Sequence, residues 1–303
     1  MYFGSVRFYK HLIIIVMAVV VIGSISSSVA MSLSNKRLKQ TLESNGISVT
    51  HNAQSSSSDS EHLNKGNSAQ CHVNSFEYQK SYPQLYIDNS FIYKEENPKS
   101  IYLTFDDGPS SLTPQILDLL KEKGIKATFF INYNDSLESQ EVYKRMISEG
   151  HTIGIHSTCH QYATIYQSPE AFLEDFAQTA LMLEQVTGVK PEIFRFPGGS
   201  INSYNKAIYQ QLIGEMTRRG YTYYDWNVSS DDATSTTTKI QIYDNVVNGV
   251  QKYNKSIVLM HDAGNKFDTL SALPEIIDNL QNSGYSFFPL TKEVQPVSFD
   301  YID

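Results

Sequence analysis

Five short clusters in this 303-residue chain carry side chains that can hold a metal or move a proton. The first is Thr104-Phe105-Asp106-Asp107-Gly108-Pro109, two adjacent carboxylates at the end of an apolar run, followed by a Gly-Pro turn. Adjacent residues leave a strand end in different directions, so one carboxylate can hold a cation while the other faces a water bound beside it. Left bare, two such groups repel and one pKa rises, unless a cation or an arginine lies close. The second cluster is His156-Ser157-Thr158-Cys159-His160. Two imidazoles four residues apart share a side if the loop takes a helical turn, which suits a common metal. Cys159 cannot readily share that side and is read as a loop thiol. Arg195 in Phe194-Arg195-Phe196-Pro197-Gly198-Gly199, the pair Asp225-Trp226, and His261 after Ile257-Val258-Leu259-Met260 complete the set. Each has an ordinary alternative: Asp and Gly are turn residues, and a lone Trp suits a core. Their common placement, each at or near the end of an apolar run, is harder to assign to chance.

Those runs are the elements that must position the clusters. Strand-like segments are expected at Ile101–Phe105, Ala127–Ile131, His151–His156, Ile193–Pro197, Tyr221–Trp226, Ser256–His261 and Tyr285–Leu290. Helical patterns separate most of them. Thr113-Pro114 reads as the N-cap and first residue of one helix that closes at Gly124, and Ser168-Pro169 opens another that runs to Gly188. Further helices are expected to end at Gly150, Gly220 and Gly284. Strand–helix alternation implies an α/β fold with a mostly parallel sheet. Such folds keep their sites at the C-terminal ends of the strands. Periodicity does not decide between a closed barrel and an open, doubly wound sheet.

Upstream of this region the character changes. Arg7 and Lys10 precede an apolar stretch from Leu12 to Leu33, and Ser28-Val29-Ala30 resembles a cleavage site. Residues 1–33 are read as a signal peptide or an uncleaved membrane anchor, and either places the remainder outside the cytoplasm. Residues 34–97 are expected to form a polar stalk, since Ser55-Ser56-Ser57-Ser58 and its Asn, Gln and Gly neighbours bury little apolar surface. Asn74–Asn97 is richer in Tyr and Phe and is a candidate to pack on the domain edge. Residues 98–303 then form the catalytic domain. The two cysteines, Cys71 and Cys159, are expected as independent thiols. A net charge of −8 without a Lys/Arg stripe argues against nucleic acid as a partner, while 41% apolar residues suffice for a sizeable core.

In order along the chain, TFDDGP, HSTCH, RFPGG, DWN and LMHD resemble the five motifs of the NodB-homology polysaccharide deacetylases (carbohydrate esterase family 4) over roughly residues 99–290. The resemblance implies a distorted (β/α)7 barrel and removal of N-acetyl groups from N-acetylglucosamine units of an extracellular polysaccharide, with peptidoglycan favoured. Chito-oligosaccharide, poly-N-acetylglucosamine and acetyl xylan are alternatives. It implies that Asp107, His156 and His160 bind one divalent metal, that Asp106 is the general base and His261 the general acid. It further implies that Arg195 holds Asp106 ionised, that Asp225 tunes His261, and that Pro197, Gly198, Trp226 and Leu259 contact substrate, Gly198 through its backbone N–H. Related sequences often carry an aromatic residue where Gly198 stands, which would leave the pocket wall more open here. One carboxylate and two imidazoles suit Zn²⁺, with Co²⁺, Mn²⁺ or Fe²⁺ as alternatives. The same ligand set serves non-haem iron oxygenases, but such a site needs neither the paired Asp106 nor His261. A catalytically silent glycan-binding domain is the remaining alternative; here every catalytic position is filled.

Overall fold

A computed structural model describes residues 76–95 and 97–300. The apolar stretch of residues 12–33, the serine-rich segment and Cys71 lie outside the described residues. Among the described residues no helix is long and apolar enough to cross a membrane.

The central strand, β1 (Ser100–Gly108), is buried on both faces along almost its whole length. That is the expected environment for an apolar run flanked by parallel neighbours and covered by helices. Around it lie β2 (Thr128–Asn132), β3 (Thr152–Ser157), β4 (Ile193–Phe194), β5 (Thr222–Tyr223), β6 (Val228–Ser229), β7 (Lys255–His261) and β8 (Ser286–Phe287). The hydrogen-bonded order is β5-β4-β3-β2-β1-β7-β6, all parallel, with β8 added beside the start of β1. Strands adjacent in the chain, β5 and β6, therefore stand at the two ends of the curled sheet. This is the distorted (β/α)7 architecture, a half-barrel whose ladder is open between those two strands among the described residues.

The helices are α1 (Thr113–Glu122), α2 (Leu137–Ser148), the single turn α3 (Tyr162–Ile165), α4 (Pro169–Thr187), α5 (Tyr209–Arg218), α6 (Lys239–Val250) and α7 (Phe267–Asn282). The start of α4 follows its sequence: the Ser168 hydroxyl accepts a hydrogen bond from the N–H of Ala171, and Pro169 fills the first turn. It ends at Gly188, whose φ of 70° is the left-handed conformation that glycine reaches without a Cβ penalty. At α1 the expectation shifts by one residue, because Thr113 lies inside the helix. Its hydroxyl accepts from the N–H of Ser110 and donates to Asp262, so it joins the helix to β7 instead of capping it. The predicted strands at 193–197, 221–226 and 285–290 are shorter than expected, ending at Phe194, Tyr223 and Phe287; past the first two the backbone turns into the loops that bring Gly198 and Trp226 to the site.

Residues 76–95 belong to the folded domain and not to a stalk. Tyr78 and Leu85 are buried, and the fully buried Arg219 donates to the carbonyls of Tyr78, Ser81 and Tyr82. The backbone N–H of Ile87 donates to the carbonyl of Arg219, and that of Lys94 to Glu293. The compact domain thus begins about twenty residues before position 98.

Candidate active site

Asp106 ends the regular part of β1, where its Cα pairs with His261 of β7. The register against β2 then slips between Asp106 and Gly108, and Asp107 takes a φ of 73°. This bulge is what presents two consecutive carboxylates on one rim, where a regular strand would send them to opposite faces. Asp tolerates the left-handed region better than most residues.

His156 lies within β3, and His160 follows in a bend at φ 52°. The two rings approach to 5.2 Å between centroids, but the expected helical turn is absent. A buried acid from α4 holds the bend in its place. Asp175 accepts from the N–H groups of Thr158 and Cys159 and from the Ser157 hydroxyl, and that hydroxyl accepts from the N–H of His160. Cys159 is an exposed free thiol outside the cluster.

Asp107, His156 and His160 offer three ligand atoms, all within 4.8 Å of one another. Asp107 Oδ1 lies 3.3 Å from His160 Nε2 and 3.6 Å from His156 Nε2. The His156 Nδ1–H donates to the Arg195 carbonyl at 2.8 Å, which leaves the Nε2 lone pair directed at the cluster. Burial pushes Asp107 up, but the neighbouring histidine charges and a hydrogen bond from Asn132 Nδ2 (3.1 Å) outweigh it and hold the carboxyl below its ordinary range. Burial, with the His156 charge, pushes His160 down toward the neutral imidazole. Carboxylate plus neutral imidazoles is the donor state a divalent cation requires, so these residues fit one.

Beside them, among the described residues, Asp106 is hydrogen-bonded on one oxygen only. Arg195 Nη1 donates to Oδ1 at 2.8 Å, while Oδ2 faces the cavity, 3.9 Å from His156 Nε2. Arg195 is itself fully buried, with further bonds to the Tyr224 and Asp225 carbonyls and the Thr104 hydroxyl. Its guanidinium lies over the Phe130 ring at 4.4 Å. On the neighbouring strand β7, His261 Nδ1 pairs with Asp232 Oδ1 at 2.7 Å. The other Asp232 oxygen accepts from the His261 backbone N–H and the Thr269 hydroxyl. Burial alone would lower the pKa of His261. The Asp232 hydrogen bond and the charges of Asp106, Asp232 and Asp107 reverse this, so the imidazole titrates above its ordinary value.

The partner of His261 is therefore Asp232, and the expectation for Asp225 is corrected. Asp225 is fully buried and accepts from the N–H and hydroxyl of Ser200 and from the N–H of Phe299. It ties the Gly198–Ser200 turn to the C-terminal segment and makes no bond to His261. Burial raises its pKa, and those hydrogen bonds only partly offset the rise. Asp232 was visible in the sequence as the second residue of another acidic pair, Asp231-Asp232. It follows a strand of two residues, too short to show a period.

Asp106, Asp107, His156, His160, Gly198, Trp226, Leu259 and His261 all face one cavity of about 340 Å³, together with Tyr162, Ala233 and Lys266, which the sequence reading did not single out. Arg195 supports it from behind. Pro197 is not on the cavity wall: its carbonyl accepts from the Tyr166 hydroxyl at 2.7 Å and from Asn202, so it shapes the turn.

A curled parallel sheet with two acids, three histidines and a buried arginine at its C-terminal rim defines an α/β protein of the polysaccharide deacetylase fold. Residues 93–216 match the polysaccharide deacetylase family model. A peptidoglycan-N-acetylglucosamine deacetylase of Bacillus cereus is 34% identical over 200 residues, 65% of this chain and 88% of that protein. The catalytic domain of peptidoglycan N-acetylglucosamine deacetylase from Eubacterium rectale is 40% identical and superposes with a TM-score of 0.66, covering 71% of this chain and 98% of that one. The polysaccharide deacetylase Bc1974 from Bacillus cereus is 29% identical at a TM-score of 0.60, over 66% of this chain and 97% of that one. The chain belongs to the polysaccharide deacetylase family (NodB homology, carbohydrate esterase family 4).

Proposed function

We propose that this protein is a metal-dependent hydrolase that removes acetyl groups from N-acetylglucosamine units of peptidoglycan outside the cytoplasm. The observation that carries the reading is the convergence of Asp107, His156 and His160 beside an Asp106 whose free oxygen faces the same cavity. Peptidoglycan is favoured because relatives at 34% and 40% identity bear that substrate in their names. The extracytoplasmic location rests on the basic and apolar pattern of residues 1–33 alone.

A divalent cation held by Asp107, His156 and His160 would supply Lewis acidity toward the acetamide carbonyl and toward a water molecule. In this reading Asp106 Oδ2 takes the proton from the attacking water, while Arg195 keeps Oδ1 occupied and the carboxylate oriented. The backbone N–H of Gly198 faces the developing oxyanion. His261, with Nδ1–H fixed on Asp232, delivers a proton from Nε2 to the departing amine. Trp226 and Leu259 wall the acetyl group. Base and acid stand on the neighbouring strands β1 and β7 and line the same cavity, so each can reach a substrate held there.

The test is acetate release, with matching new free amines, from purified peptidoglycan, N-acetylglucosamine oligomers and acetyl xylan. Release from peptidoglycan that stops on chelation and returns with a divalent cation is expected. No acetate from any N-acetylated glycan would overturn the reading.

A further inference from the structure

Beside His160 the cavity opens onto an aromatic pair that the chemistry does not use. The Tyr162 ring lines the site with its centroid 5.3 Å from that of His160, and Tyr204 meets it edge to face at 5.4 Å. Gly198 lets Tyr162 lie this close, for a Cβ there would come within 3.1 Å of the phenol end of the ring. The inner ring is thus wedged between the glycine turn, His160 and Tyr166.

Tyr204 contrasts with it, being 56% exposed on a backbone that is firmly held. Asn202 Oδ1 accepts from the N–H groups of Tyr204 and Asn205, and the buried Asn205 side chain donates to the Ser200 carbonyl. An aromatic ring fixed in solvent at the lip of a sugar-sized cavity has given up apolar burial without gaining chain freedom. Such placement suits a ligand with an apolar face and a polar edge, as a pyranose ring has. A cavity of about 340 Å³ has room for little beyond the reacting residue, so adjoining sugars of a polymer must lie on the rim.

We infer that Tyr162 and Tyr204 form an aromatic subsite for the pyranose ring next to the residue being deacetylated, making the protein selective for chains over single sugars. This rests on the deacetylase reading above, and the test separates the two. Binding of N-acetylglucosamine, its dimer and its tetramer is measured by calorimetry on wild type, Tyr204→Ala and Tyr204→Trp, with acetate release followed in parallel. Tyr204→Ala should weaken dimer and tetramer binding roughly 3- to 10-fold and the single sugar little, and Tyr204→Trp should retain the binding. Equal tetramer affinity in wild type and Tyr204→Ala would overturn the subsite. A length-dependent loss of binding would support it even if no acetate were released, an outcome that would instead remove the deacetylase reading.

Discussion

Two fully buried arginines divide this molecule into a region that reacts and a region that only holds. Arg195 and Arg219 are built alike: each donates to one buried carboxylate and to several backbone carbonyls. Their partners differ. Glu215 is used on both oxygens, by Arg219 and Arg218, and its helix end thereby clamps residues 76–87. Asp106 is used by Arg195 on one oxygen, and the other is left facing the cavity. A buried carboxylate bonded on both oxygens is structure; one with a spare oxygen in a cavity keeps a reactive edge.

Breaking each arginine should expose this difference. Arg195→Met should lower acetate release on the order of 10²–10⁴-fold, because Asp106 loses its orientation and its charge partner. Arg219→Met should leave kcat/KM of the folded protein nearly unchanged and cost about 3–5 kcal/mol in urea unfolding, the penalty of stranding a buried charge. Loss of turnover in a folded Arg219 variant, or its survival in the Arg195 variant, would erase the distinction.

A smaller effect sharpens the reactive side. His261 must carry its proton to act as an acid, so activity falls as pH rises through its pKa. Asp232 raises that pKa through a hydrogen bond and its charge. Asp232→Asn should therefore move the alkaline limb of the pH–rate profile to lower pH, whereas Asp225→Asn should leave the limb in place. The same comparison extends to the ligands. Asn132→Ala removes the donor to Asp107 Oδ1 and should weaken divalent-cation binding by roughly tenfold, read by calorimetry.

The smallest effect concerns Asp262, a buried acid that accepts from Ser110 and Thr113. Burial, with the Asp107 charge, pushes it up to about 7. Raised above its unfolded value near ~4, an acid favours the fold only while protonated. Its contribution is lost as pH rises from there through about 7. Asp262→Asn should flatten the fall in stability over that window, as measured by urea titration at several pH values.

The candidate metal-binding residues Asp107, His156 and His160, the Asp106–Arg195 pair and His261 could be picked out in the sequence because long apolar strands, β1, β3 and β7, lead directly into or contain most of them. Asp232 was not, for β6 has two residues and no readable period, and Asp225 beside the only tryptophan drew the assignment instead. Asp225 is instead engaged by the N–H and hydroxyl of Ser200 and by the N–H of Phe299, seventy-four residues on, which no local pattern reports. The N-terminal clamp was obscure for the same reason. Nothing in residues 76–95 reveals that a buried arginine at 219 collects three of their carbonyls. The placement of His160 likewise depends on Asp175, an acid that in sequence looks like one more helix residue.

The most direct measurement counts divalent ions per chain alongside acetate released, in wild type, Asp106→Asn and His160→Ala. One ion in wild type and in Asp106→Asn, with turnover lost only in the latter, and no retained ion in His160→Ala is the expected result. Full turnover in either variant, or an ion held equally well without His160, would contradict it.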